Sequence, residues 1–151
     1  MFFNTDGTIR KVLPTLRGVG LTDASKKIQI DRYSSKSEQG ASIAFLDTLN
    51  TFGGWKTVLD TKDSWIQYNG IDFGNNSYKT VHVRALSKSG GILQLRLNSI
   101  EGPVVSEVHI PQAEDWKTIS VSVSGLQHGV HNLVVSLINT HPVEVDWISF
   151  D

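Results

Sequence analysis

A chain of 151 residues, 39% of them apolar and 19% charged, is long enough for one domain with a real core; domains of that size bury roughly 68 to 70% of their unfolded surface. Its formal charge of -1 supplies no basic field to neutralise phosphates, so nucleic acid is not an expected partner. The absence of cysteine removes disulfides and thiolate metal sites and leaves the compartment open.

Taken in order, Met1, Phe2 and Phe3 run straight into Asn4, Thr5, Asp6 and Gly7, with no cationic n-region and no long apolar run. No signal peptide or membrane span is expected here, and the chain reads as an internal or C-terminal piece of any exported parent. Ile9, Lys11 and Leu13 alternate ahead of Pro14 and two glycines, the pattern of a strand followed by a linker. Residues 1–26 are therefore assigned to an arm, or to the tail of an upstream domain, and residues 27–151 to the main domain.

From Lys27 the pattern is one of short runs with period-two alternation between turn signals. The expected strands are 27–33, 42–46, 64–73, 78–86, 91–98, 104–110, 116–124, 131–138 and 143–150. Val81, Val83 and Ala85 alternate with His82 and Arg84, and Leu93, Leu95 and Leu97 with Gln94 and Arg96. No window carries a helical apolar stripe. Glycine-containing turns between so many short strands predict an all-β fold, a two-sheet antiparallel β-sandwich of jelly-roll topology.

The stretch FGGWKTVLDTKDSWIQYNGIDF organises the reading. Gly53 and Gly54 allow a tight turn that presents Trp55 on a loop, and Val58 and Leu59 form a short apolar step before a polar turn. Trp65 and Trp147 lie inside apolar strands and are expected in the core. Trp116 shares parity with Thr118, Ser120 and Ser122, while Ile119, Val121 and Val123 take the other face. It is a candidate platform at a strand start, or a cap on the end of the sandwich.

A screen for chemistry yields no catalytic residue. The histidines His82, His109, His128, His131 and His141 make no HExxH pattern, and neither GxSxG nor a P-loop occurs. Glu114 with Asp115, and Asp60 with Asp63, read as solvated turns more simply than as a glycosidase pair across a cleft.

From Ile28 onward the order of features resembles family 6 carbohydrate-binding modules, the β-sandwich domains attached to plant-polysaccharide hydrolases. The matching pieces are IQIDRYSS, FGGWKTVLDTKDSWIQY, YKTVHVRALSKSGGILQLRLN, DWKTISVSVSGLQHGVHNLVVSL and VEVDWISF. The first segment, FFNTDGTIRKVLPTLRGVG, is similar to the chain leaving the catalytic propeller of family 43 glycoside hydrolases.

The resemblance implies a structural calcium ion held by Gln29, Asp31 and Asp146 with carbonyls from the loop near Trp55, a set of hard oxygen donors. It also implies an edge site where two rings pinch a sugar beside an asparagine. Gapless matching places Leu59, Ala113 and Glu144 there, so Trp55 and Trp116 are the candidate substitutes, with Asn139, His141 and Glu144 as polar partners. The implied function is a non-catalytic module, secreted or periplasmic, that targets an upstream catalytic domain to a xylan or arabinoxylan. The alternative is a structural accessory domain that has lost the edge sugar site, and an independent hydrolase comes third.

Overall fold

The computed structural model describes residues 5–8 and 20–151, and the alternating run expected at residues 9–13 lies outside them. The described strands are β1 (Thr22–Asp23), β2 (Ile28–Gln29), β3 (Ser35–Lys36), β4 (Ala41–Phe45), β5 (Trp55–Leu59) and β6 (Trp65–Asp72), followed by β7 (Thr80–Leu86), β8 (Gly91–Leu97), β9 (Val104–Ile110), β10 (Lys117–Ser122), β11 (Val130–Leu137) and β12 (Val143–Phe150). Single 3₁₀ turns stand at Ile30–Arg32 and Thr51–Gly53. No described helix is long and apolar enough to cross a membrane.

These strands form two six-stranded sheets stacked as a sandwich. The first runs β1-β6-β11-β8-β9, with β3 also on β6; the second runs β10-β7-β12-β5-β4, with β2 also on β12. From β5 onward the chain alternates between the sheets, apart from the β8–β9 hairpin, as jelly-roll connectivity requires. The all-β sandwich expectation holds. The sheet begins earlier than residue 27, because β1 pairs in parallel with β6 and Ala24 is buried in the core.

Inward positions carry the core: Val81, Val83 and Ala85 on β7, Leu93, Leu95 and Leu97 on β8, and Leu133, Val135 and Leu137 on β11. Strict alternation fails in two places that matter. In β12, Val145 pairs with Ala85 and Trp147 with Arg84, so Asp146 is an inserted residue. Val143 and Val145 are buried before this bulge, and Ile148 and Phe150 after it. In β6, Tyr68 pairs with Leu133 and Ile71 with His131, so the extra residue sits at Asn69 and Gly70. Gly70 has a positive φ of 70°, and its N–H donates to Asn132 Oδ1 at 3.1 Å. A bulge flips every later side chain to the other face. Trp147 is flipped in this way, whereas Trp65 precedes the β6 bulge and shares the face of Gln67 and Asn69; both, expected in the core, stand half-buried on outer faces.

Gly102 gives a direct check on the β8–β9 turn, because a Cβ there would lie 1.8 Å from the Leu97 carbonyl oxygen. Gly102→Ala is expected to destabilise by about 1 to 3 kcal/mol, the range for overpacking, or roughly 2 to 12 °C in Tm for a domain of this size. Gly53→Ala, where the new atom meets nothing closer than 3.6 Å, is expected to melt like the parent.

Candidate functional site

At the expected edge site neither ring of the resembled family is present, and Glu144 lines a cavity of about 210 Å³ with Leu86, Ser87 and Pro142. Leu59, where the first ring of the resembled family stands, points into the core and is fully buried. Ala113 offers a methyl group where the second ring stands, and its N–H donates to the Ser87 carbonyl at 2.9 Å. Glu144 accepts from Lys56 Nζ at 2.7 Å, and Asn139 Oδ1 accepts the Ile92 N–H at 3.2 Å, so both are engaged within the fold. His141 is exposed on the β11–β12 connection.

Trp55 and Trp116 do not meet. Trp55 is the first residue of β5 rather than a loop residue, and it shares the inward parity of the buried Thr57 and Leu59. It escapes burial because the core ends beneath it, and it is 45% exposed against Phe45, its register partner. Trp116 lies on the opposite, outer face of the same sheet. Its indole has the Arg84 guanidinium 5.0 Å and Lys56 Nζ 5.9 Å from the ring centroid, a cation–π arrangement. One face of β5 cannot supply both jaws.

The residues proposed to hold a cation do converge. Asp146, the extra residue of the β12 bulge, is only 7% exposed, and Arg84 bonds its carboxylate on the outer side of the sheet. Gln29 pairs across from Trp147, and Gln29 and Asp146 line one groove with the backbone of Gly53 and Gly54. Asp31 follows on the 3₁₀ turn at 8% exposure. Burial raises the Asp31 carboxyl above its ordinary 3.8, its own backbone N–H and Arg32 pull it down, and the Asp146 charge pushes it up again. Two sheltered carboxylates and an amide are hard oxygen donors of the kind that suit a dication. Among the described residues no cluster of three or more His, Cys, Asp or Glu side chains forms a metal centre, so such an ion would rest on two carboxylates, one amide and backbone oxygens. His128 and His131 do not make one: His131 Nε2 donates to the His128 carbonyl at 2.9 Å and Nδ1 lies 3.1 Å from Asn98 Oδ1.

A sheet face is the other place where modules of the resembled family bind sugar, and residues that the sequence reading did not name for it lie on the outside of the first sheet. Trp65, Ser136, Gln94 and Glu107 are register neighbours across β6, β11, β8 and β9, a span of roughly 14 Å at ~4.8 Å per strand. Ser35, Gln67, Val134 and Arg96 form the adjoining row, and the central members of the two rows, Ser136 and Val134, are buried between longer neighbours. Gln67 Nε2 donates to Asn69 Oδ1 at 2.8 Å and Arg96 Nε to Gln94 Oε1 at 3.0 Å, which holds the polar groups in fixed orientation. The signal for this face was present as Trp65-x-Gln67-x-Asn69, and the Gly70 bulge masked it.

Residues 28–151 match the family model of carbohydrate binding module, family 6. The chain is 27% identical over 138 residues to an arabinoxylan arabinofuranohydrolase of Bacillus subtilis (strain 168), covering 86% of this chain and 26% of that protein. It thus spans about a quarter of that relative's length. Among solved structures, a module from Clostridium stercorarium in complex with cellobiose superposes with a TM-score of 0.77 at 24% identity, over 87% of this chain and 97% of the other. A family 43 arabinoxylan arabinofuranohydrolase from Bacillus subtilis, in complex with cellotetraose, gives 0.75 at 19% identity, over 99% of this chain and 32% of that one.

The raised Asp31 carboxyl has a consequence for stability. A folded-state value above the unfolded one means that the native state binds the proton more tightly, so this contribution is complete below 3.8 and is lost as pH rises through the folded value. In EDTA, the wild-type Tm is expected to fall from pH 4 toward neutrality, and Asp31→Asn to flatten that slope and melt higher at pH 7. A variant whose profile parallels the wild type would remove Asp31 as the cause.

Proposed function

This chain belongs to family 6 of the carbohydrate-binding modules, and from that premise we propose that it holds a plant polysaccharide of the xylan or arabinoxylan type on the outer face of its first sheet. It does no chemistry on the polymer. It keeps an attached glycoside hydrolase, of the family 43 kind and working outside the cytoplasm, near its substrate. The observation that carries this reading is the partly exposed Trp65 at the head of a row of fixed polar groups. An indole stacks on the C–H face of a sugar ring, and side-chain amides and a guanidinium supply donors and acceptors for its hydroxyls. The arabinofuranohydrolase relatives support the choice of polymer.

A sugar face covering about 100 Å² of indole contributes roughly 2.5 kcal/mol at 25 cal/mol/Å². After the cost of immobilising both partners, dissociation constants from micromolar to millimolar follow. Trp65→Ala is expected to weaken xylan binding about 60-fold, read as lost retardation in affinity electrophoresis. Wild-type retardation in that variant would discard the sheet face. The lack of both rings at the edge site favours a second reading, an accessory domain that packs on a catalytic partner and binds no glycan. No retardation of the wild type on a broad glycan panel would establish it.

The proposal extends to calcium on Gln29, Asp31 and Asp146, completed by carbonyls of the loop ahead of Trp55, where the ion would join the 3₁₀ turn to the last strand. At 100 times Kd a bound ion adds about 2.7 kcal/mol, or roughly 5 to 10 °C in Tm. Adding calcium to EDTA-treated protein is expected to produce that rise in the wild type and none in Asp31→Asn. Equal melting with and without calcium would refute the ion.

A further inference from the structure

We infer that the cleft between the Ile30–Arg32 turn and the β4–β5 edge is a second carbohydrate site, distinct from the sheet face, that takes a terminal sugar or a short branch of the polymer. Its volume is about 300 Å³, and Asp31, Arg32, Ile43 and Trp55 line it. That is the lower end of the range for small-molecule sites.

The indole is prepared for a ligand. Phe45 stacks against Trp55 with ring centroids 4.2 Å apart and planes 29° apart, so one face is backed by a second ring while 45% of the residue stays exposed. A ring held in place before binding loses little freedom when a sugar stacks on it. The polar groups complete the match. Asp31 is more than nine-tenths buried yet lines the cleft, and among the described residues no other side chain hydrogen-bonds its carboxylate. It is an acceptor waiting for hydroxyl donors. Arg32, exposed at the rim, offers a fork of donors. An apolar face, a sheltered acceptor and a cationic donor within one small cleft are the complement of one sugar ring.

The two surfaces differ in what they can grip. The sheet face runs open across several strands and suits the interior of a chain, whereas the cleft is bounded by the 3₁₀ turn and suits an end or a side branch. Asp31 can serve calcium and a hydroxyl together, because a carboxylate has two oxygens and about four lone-pair sites. A protein contact confined to this cleft would fall far below the ~800 Å² per partner that stable complexes bury. Two sugar sites on one rigid module raise affinity for a branched polymer through effective concentration.

Isothermal titration of the 151-residue chain in calcium, with xylotetraose and with an arabinofuranosyl-substituted xylotriose as probes, tests the inference. The substituted probe is expected to fill two sites in the wild type and one in Trp55→Ala, with Trp55→Phe retaining both and Arg32→Ala weakening one. Circular dichroism melting confirms that each variant is folded. A Trp55→Ala titration identical to the wild type overturns the cleft. Loss of all binding in Trp65→Ala alone also overturns it and leaves the sheet face standing. Loss of all binding in Trp55→Ala alone does the reverse, and a wild type that binds neither probe ends both.

Discussion

One inserted residue in the last strand governs the arrangement. Asp146 interrupts the alternation of β12, so the strand buries Val143 and Val145 on one side of the bulge and Ile148 and Phe150 on the other. The insertion places a carboxylate where a regular strand would have put an apolar side chain or solvent. A buried charge without a partner costs several kcal/mol, so the position is tenable only with a cation beside it. Arg84 from the neighbouring strand fills that role, and Gln29, Gly53 and Gly54 line the same groove as Asp146.

The bulge also explains how the aromatics are distributed. Trp147 moves to the outer face, where Lys27 Nζ lies 4.8 Å from its ring centroid, and Arg84 is left between Asp146 and the Trp116 indole. Trp116 is thereby packed against cations, which compete with a sugar for its face. Trp55 remains on the inner side of the sheet, beyond the limit of the core. Trp65, ahead of the corresponding bulge in β6, is the indole that stands with an ordered set of amides. Each sheet spends its inner face on the core, so recognition falls to an outer face or to a place where the core runs out.

Loss of the edge rings and the presence of these surfaces are two aspects of the same packing. Leu59 completes the hydrophobic end of β5 where an aromatic platform would have to leave the core, and Glu144 is neutralised by Lys56 rather than offered to a ligand. Such an edge is stable. A module built this way keeps the sandwich of its family without the aromatic pair at the edge.

Periodicity and turn residues made most of the architecture legible. The spans 104–110 and 143–150 agree with the observed strands at both ends, and the short-run pattern was enough for two stacked antiparallel sheets. The polar cluster of Gln29, Asp31 and Asp146 was likewise readable, since these residues stand in segments that resemble a known family. The faces of Trp65 and Trp147 were not legible, nor was the separation of Trp55 from Trp116. Alternation is a local property carried by each strand, so the chain determined by itself which segments become strands and which residues are apolar enough to build a core. Where a strand takes an extra residue is settled by its neighbours, through the ladder that pairs Trp147 with Arg84 and through side chains such as Asn132 that bond the bulged backbone. Only the assembled sheets decided which indoles reach solvent, because a one-residue shift in hydrogen-bonded register turns every following side chain to the opposite face.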